Sequence, residues 1–191
     1  MADTPKQIFI KGIWKDNPVF RQVLGICSSL AVTNLLTNTL FMAAGVMFVT
    51  AFSNLTVSAL RNLIPARIRM IVQVLIIASY VMIVDILIKA VNPDIHRFIG
   101  PYVGLIITNC IIMGRAEAFA SQNTPFLSFL DGLAMGIGYS LVLIVIALIR
   151  EPLGFGTILG IPLPGREIWW HQWTIMVMAP GAFFMLAIIT W

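Results

Sequence analysis

The sequence predicts an all-α integral membrane protein of six transmembrane helices, arranged as two inverted three-helix repeats in a single transmembrane domain. Three observations carry that reading. Of 191 residues, 59% are apolar and only 10% charged, whereas a water-facing globule carries about 25% charged residues. The apolar residues fall in runs long enough to cross a hydrocarbon core about 30 Å thick, which takes roughly 20 helical residues. The weakest run stands first in each half of the chain.

In chain order, the four strong runs are Asn38–Leu60, Met70–Val91, Phe129–Ile149 and Trp173–Trp191. Two others are apolar but short. Gln22–Leu36 is interrupted by Gly25, Ser28, Ser29, Thr33 and Asn34, and Phe98–Gly114 by Gly100, Pro101, Gly104, Thr108 and Asn109. At 1.5 Å per residue they reach only about 22 and 25 Å as helices. Short, interrupted segments at matching positions point to an inverted repeat with a site at its interface. The repeats span about 18–91 and 98–191, with a thin local likeness between Ala31-Val-Thr-Asn34 and Ile106-Ile-Thr-Asn109.

The basic N-terminus (Lys6, Lys11, Lys15) precedes an apolar run without a small-residue cleavage site, and reads as a retained segment rather than a signal peptide. The formal net charge of +4 orients the chain in the bilayer and does not signal nucleic acid. With the N-terminus inside, eight Lys and Arg (Lys6, Lys11, Lys15, Arg21, Arg61, Arg67, Arg69, Arg115) lie on the inner side, against four outside (Lys89, Arg97, Arg150, Arg166). That excess predicts a cytoplasmic N-terminus. Trp14, Trp169, Trp170, Trp173 and Trp191 all fall near span ends, as an interfacial aromatic belt requires. The longest polar stretches, 1–21 and 150–172, are too small to fold a catalytic domain.

Cys27 and Cys110 are the only cysteines, one in each short segment. Cys27 lies six residues from Arg21 and Cys110 five from Arg115. If both arginines mark one interface, the thiols lie roughly 9 and 7.5 Å from it and so at a similar depth. Cysteine in a membrane helix also serves simply as a small apolar residue. Iron–sulfur clusters take four thiolates, so this chain offers half a ligand set and a cluster requires a second chain.

The remaining motifs have structural readings. Gly132-Leu-Ala-Met-Gly136 lets helix backbones approach closely. Gly154-Phe-Gly-Thr-Ile-Leu-Gly160 lacks the spacing and strand context of a dinucleotide loop and reads as a surface turn. Asp85 and Lys89 stand at the i,i+4 spacing of an ion pair. Arg115 and Glu117 bracket the end of the fourth segment and Asp131 opens the fifth. Each reads as a paired interfacial charge, with its role beyond pairing open. His96 and His171 stand alone in loops.

With these residues in view, the sequence resembles a known family. Asn17-Pro18, the stretch Gln22-Val-Leu-Gly-Ile-Cys-Ser-Ser-Leu-Ala-Val-Thr33, Val46-Met-Phe-Val-Thr50 and Val103-Gly-Leu-Ile-Ile-Thr-Asn-Cys-Ile-Ile-Met-Gly-Arg-Ala-Glu-Ala-Phe-Ala120 are similar to a superfamily of membrane redox subunits. It holds the D and E subunits of the bacterial Na⁺-translocating NADH:quinone oxidoreductase and the A and E subunits of the Rnf ferredoxin:NAD⁺ oxidoreductase. Ser53-Asn54, Arg61-Asn62, Ile64-Pro65, Ile76-Ile-Ala-Ser79 and Asp131-Gly132 extend the likeness, which weakens after Gly154. Ser28, where Rnf chains tend to carry Pro, favours the D type. Thr33-Asn-Leu-Leu-Thr-Asn-Thr39 leans toward Rnf, leaving the Rnf E-type chain as the alternative.

The resemblance implies an electron relay. The D and E subunits, in opposite orientations, together hold one 2Fe–2S cluster, and the D-type ligands map onto Cys27 and Cys110. It implies a six-subunit complex in the bacterial inner membrane that passes electrons from NADH through FAD to flavins and quinone and exports Na⁺. Flavin and NADH bind partner chains, and this chain has no Ser-Gly-Ala-Thr type of covalent flavin site. A secondary transporter with inverted repeats, or an assembly scaffold with incidental cysteines, are the rivals from other classes.

Overall fold

Hydrocarbon offers a peptide group no hydrogen-bond partner, so a chain this apolar must satisfy its backbone internally. The computed structural model describes residues 17–22, 24–65, 67–91, 93–158, 161–162 and 177–190. They form α1 (Ile26–Val32), α2 (Leu36–Leu60), α3 (Arg69–Val91), α4 (Pro93–Ile107), α5 (Cys110–Arg115, running on into a π-helical turn Ala116–Ala120), α6 (Pro125–Phe155) and α7 (Ala179–Thr190). A two-residue antiparallel hairpin, β1 (Thr157–Ile158) with β2 (Ile161–Pro162), pairs Thr157 with Pro162 and Ile158 with Ile161. This hairpin is the one departure from the all-α expectation among the described residues.

Four helical stretches are long and apolar enough to cross a membrane: Leu36–Leu60, Arg69–Val91, Gly100–Ala120 and Pro125–Phe155. The first of the expected short segments contributes only the seven residues of α1. The last expected span lies partly outside the described residues, as do all five tryptophans and His171. Of the five residues expected to interrupt the second short segment, Thr108 and Asn109 form the break. Pro101 lies inside α4, a placement membrane helices tolerate where neighbouring groups take up the freed carbonyl.

Helix α6 begins with Pro125 in its first turn, where the missing N–H costs nothing. It ends at Gly156, whose left-handed φ of 66° lets its N–H bond Pro152 O at 3.0 Å. The α2–α6 crossing is the main packing interface. A Cβ at Gly132 would lie 2.8 Å from Thr50 O and 2.9 Å from Ala51 Cα, and one at Gly136 would lie 2.9 Å from Met47 Cα. The Gly132/Gly136 pair is therefore a helix-packing motif. Around it Val46, Ile77, Ile106, Ile111, Tyr139 and Ile146 form one buried cluster. Met70, Ile71, Leu75, Met82 and Ile86 leave α3 with an exposed apolar face, suited to lipid or to another chain.

The two halves share a capping device that segment lengths did not reveal. Arg61, at the end of α2, donates to Gln122 O (3.0 Å) and Asn123 O (2.8 Å), just beyond the π-helical turn. Arg150, near the end of α6, donates to Leu30 O (3.2 Å) and Thr33 Oγ1 (2.7 Å) at the end of α1. Helices α2 and α6 thus each carry, at or near the C-terminal end, an arginine that reaches the broken-helix region of the other half. The likeness of Ala31–Asn34 to Ile106–Asn109 does not belong to this correspondence. The first stretch closes the half-helix α1, whereas the second precedes α5.

An alanine at Gly136 must push into the α2 backbone, and overpacking of this kind costs about 1–3 kcal/mol. Gly104, where an added Cβ would meet nothing within 4 Å, is the matched control. Thermal unfolding of the assembled protein should shift clearly downward for Gly136→Ala and stay level or rise for Gly104→Ala. Equal effects would contradict the α2–α6 packing.

Candidate functional site: two cysteines at facing helix breaks

Both breaks are built from side chains that take over backbone hydrogen bonds. In the first, Asn17 Oδ1 accepts from Val19 N (3.0 Å), Asn17 Nδ2 donates to Gly138 O (3.4 Å), and Leu24 N donates to Pro18 O (3.0 Å). Gly25 then adopts a left-handed φ of 81° and starts α1, which places Cys27 in the first turn. Ser28 and Ser29 are buried and turn their hydroxyls to Gly25 O (3.1 Å) and Ile26 O (2.8 Å). In the second break α4 ends at Ile107, and Asn109 caps α5 by accepting Ile111 N on Oδ1 at 3.1 Å. Cys110 is the first residue of α5.

The breaks face each other directly. A Cβ on Gly25 would lie 2.7 Å from Ile111 Cδ1 and 2.8 Å from Tyr139 Cε2. Ile111 follows Cys110 in the chain, so this contact brings Cys110 close to Cys27. Both are free thiols on the exposed surface of the chain. Behind them Tyr139, 0% exposed, hydrogen-bonds the Ser28 hydroxyl and reaches Gly25 O at 3.5 Å. The Tyr139 hydroxyl is also the common neighbour of Asn109, Cys27 and Cys110.

Two adjacent soft donors at a surface suit a thiophilic metal centre. Among the described residues no group of three or more His, Cys, Asp or Glu could hold a metal ion. An iron–sulfur cluster takes four thiolates, and two cysteines are chemically suited to supply half of such a set.

The other sequence candidates are structural. Arg115 pairs with Asp131 through Nε at 3.0 Å and through a second contact from Nη2, and Asp131 is 2% exposed. Glu117 accepts from Arg69 (3.1 Å) and Gln73 (2.8 Å). Asp85 bonds His96 Nε2 at 2.9 Å rather than Lys89, so the i,i+4 pair is replaced by a contact across the α3–α4 turn. Of the Gly154–Gly160 stretch, the described residues 154–158 hold the end of α6, its Gly156 cap and β1. Sequence reasoning missed Tyr139, which carried no signal beyond an aromatic in a span. It counted Arg150 as an external interfacial charge, but Arg150 is 2% exposed and its neighbour Glu151 1%. Glu151 accepts Leu36 N at 2.8 Å, capping α2, while Arg150 Nη2 reaches Val177 O (3.0 Å) and Met178 O (2.9 Å).

Fold and site together define a multi-pass helical membrane protein that presents a thiol pair from two broken helices. The chain belongs to the Rnf-Nqr subunit family of membrane proteins, matching it over residues 5–190. It is 48% identical to the D subunit of the Na⁺-translocating NADH-quinone reductase of Photobacterium profundum, over 100% of this chain and 93% of that protein. To the D subunit of Pseudoalteromonas atlantica it is 47% identical over the same shares, and to that of Psychromonas ingrahamii 46%, over 97% and 90%.

Tyr139→Phe deletes one buried hydrogen-bonding group and should cost about 1 kcal/mol. Gly25→Val meets both a disfavoured φ and the Ile111 and Tyr139 side chains, and should cost clearly more. Melting temperatures of the assembled protein test that order. A Gly25→Val protein as stable as wild type would contradict the packing of the two breaks.

Proposed function

We propose that this chain is the D-type subunit of a Na⁺-translocating NADH:quinone reductase and serves as an electron relay within the bilayer. In this reading Cys27 and Cys110 supply two of the four ligands of a 2Fe–2S cluster, and a homologous E-type chain in the opposite orientation supplies the others. The observation that carries it is the adjacency of two free, exposed thiols that belong to different broken helices. Full-length similarity to the D subunits of such reductases supports the choice of complex over the Rnf alternative.

When bound, such a cluster accepts and returns one electron at a time. The chain's own residues do the rest. Gly25, Ile111 and Tyr139 fix the spacing of the two cysteines, while Ser28 and Asn109 satisfy the exposed backbone of the breaks. Ile111 and Tyr139, both fully buried, back the break behind the thiols with apolar surface. The crosswise Arg61 and Arg150 contacts support a two-repeat, six-helix architecture spanning the whole chain. The excess of basic residues on one set of loops supports a cytoplasmic N-terminus in the inner membrane. NADH, flavins and quinone belong on the other subunits of a six-subunit complex, with Na⁺ moving outward.

Serine keeps the approximate size of cysteine but is a poor ligand for iron in a sulfur-rich site. In the intact complex, Cys27→Ser and Cys110→Ser should each abolish the membrane-embedded iron–sulfur signal and NADH-driven quinone reduction. NADH oxidation by artificial acceptors should continue, because that path ends before this subunit. Variants that assemble and retain full quinone reductase activity would contradict the ligand assignment.

A further inference from the structure

Asn109 is 0% exposed, and its amide nitrogen, beside the Tyr139 hydroxyl, has no hydrogen-bond partner among the described residues. Its Oδ1 is committed to Ile111 N. The cap alone does not account for the amide, because Ser or Asp accepts the same N–H without burying a spare donor. Leaving a buried donor unsatisfied costs about 1–3 kcal/mol. The neighbouring hydroxyls are already engaged in sequence. Ser28 Oγ donates to Gly25 O at 3.1 Å, and the Tyr139 hydroxyl is taken up by Ser28 and Gly25 O. Other amides with buried unpartnered atoms lie elsewhere: Asn34 between α1 and α2, Asn54 in the α2–α6 crossing and Gln73 beside Glu117. Asn109 alone among these four precedes a cysteine and lies beside Tyr139, which neighbours both thiols.

We infer that the Asn109 amide donates a hydrogen bond to the anionic sulfur centre formed at Cys27 and Cys110, and so sets how readily that centre is reduced. The inference rests on the ligand assignment above. Reduction adds one electron and one negative charge to the centre, so a fixed N–H donor stabilises the reduced form more than the oxidised one and raises the potential. Asn109 is thus a tuning residue, and the cysteines remain the ligands.

The test is made in the full complex, by redox titration of the paramagnetic iron–sulfur signal together with iron content. Asn109→Ser keeps a capping oxygen and lacks the amide donor. Asn109→Asp keeps the cap in the same place, lacks the donor and adds a negative charge. Both should retain iron. Asn109→Ser should disfavour reduction about tenfold, a shift of about 59 mV to lower potential for a one-electron couple, and Asn109→Asp should shift it further the same way. Both variants at wild-type potential with iron intact would overturn the inference and leave the ligand assignment standing. Loss of iron from both would overturn it as well, making Asn109 a structural cap. A wild-type complex with no signal dependent on Cys27 and Cys110 would overturn the ligand assignment itself, and this inference with it.

Discussion

Gly25 has no side chain, and the volume a Cβ would occupy is filled by Ile111 and Tyr139. Both helix breaks depend on that contact. Without it α1 has no fixed relation to α5, and the cysteines in their first turns lose their shared position. The contact is possible only because Gly25 adopts a left-handed φ that other residues disfavour. It also forces non-helical backbone into the interior, where every exposed N–H and C=O needs a partner. Asn17, Ser28 and Asn109 provide those partners from side chains adjacent to the breaks. The polar residues that make these segments look poor as spans are the ones that make the breaks stable.

Short helices carry a second cost, since their unpaired ends lie close together. Here the ends are met by charge of the right sign. Arg150 faces the carbonyl end of α1, and Glu151 faces the amide end of α2, as the helix dipole favours. Burying an ionised side chain is expensive unless it is well hydrogen-bonded, and Arg150 makes four hydrogen bonds to Leu30, Thr33, Val177 and Met178. One dipeptide near the end of α6 thereby ties α1, α2 and the approach to α7 together. Arg61 holds the far end of the other broken helix. The cysteines are therefore positioned from both ends of their half-helices: the breaks fix one end, and an arginine holds the other.

The long spans were legible because hydropathy and length alone define them: α2 and α3 begin within two residues of the expected positions. The identity of the cysteines as a pair was legible from their placement in the two weak segments. The capping pairs were not, because a charge at the end of an apolar run looks the same whether it faces water or a helix terminus. Arg150 and Glu151 belong to the second kind, and Lys89, which is exposed, does not. The sequence offered five interrupting residues in the second short segment without choosing among them, and Pro101, the stronger breaker in general, lies inside α4. Yet Thr108 and Asn109 are where a side-chain acceptor can cap the restarted helix. Tyr139 and the Asn109 donor emerge only from three-dimensional proximity, across sequence separations that no periodicity encodes.

The central claim is that two breaks distant in sequence hold Cys27 and Cys110 side by side. Its most direct measurement is intrachain bridging of the two thiols by a short bifunctional thiol reagent, in membranes whose iron has been removed by chelation, with the products identified by peptide mass spectrometry. Adjacent thiols should give a single bridged product joining the Cys27 and Cys110 peptides, lost in either serine variant. Two separately modified thiols, with no bridge at any reagent length short enough to require adjacency, would contradict it.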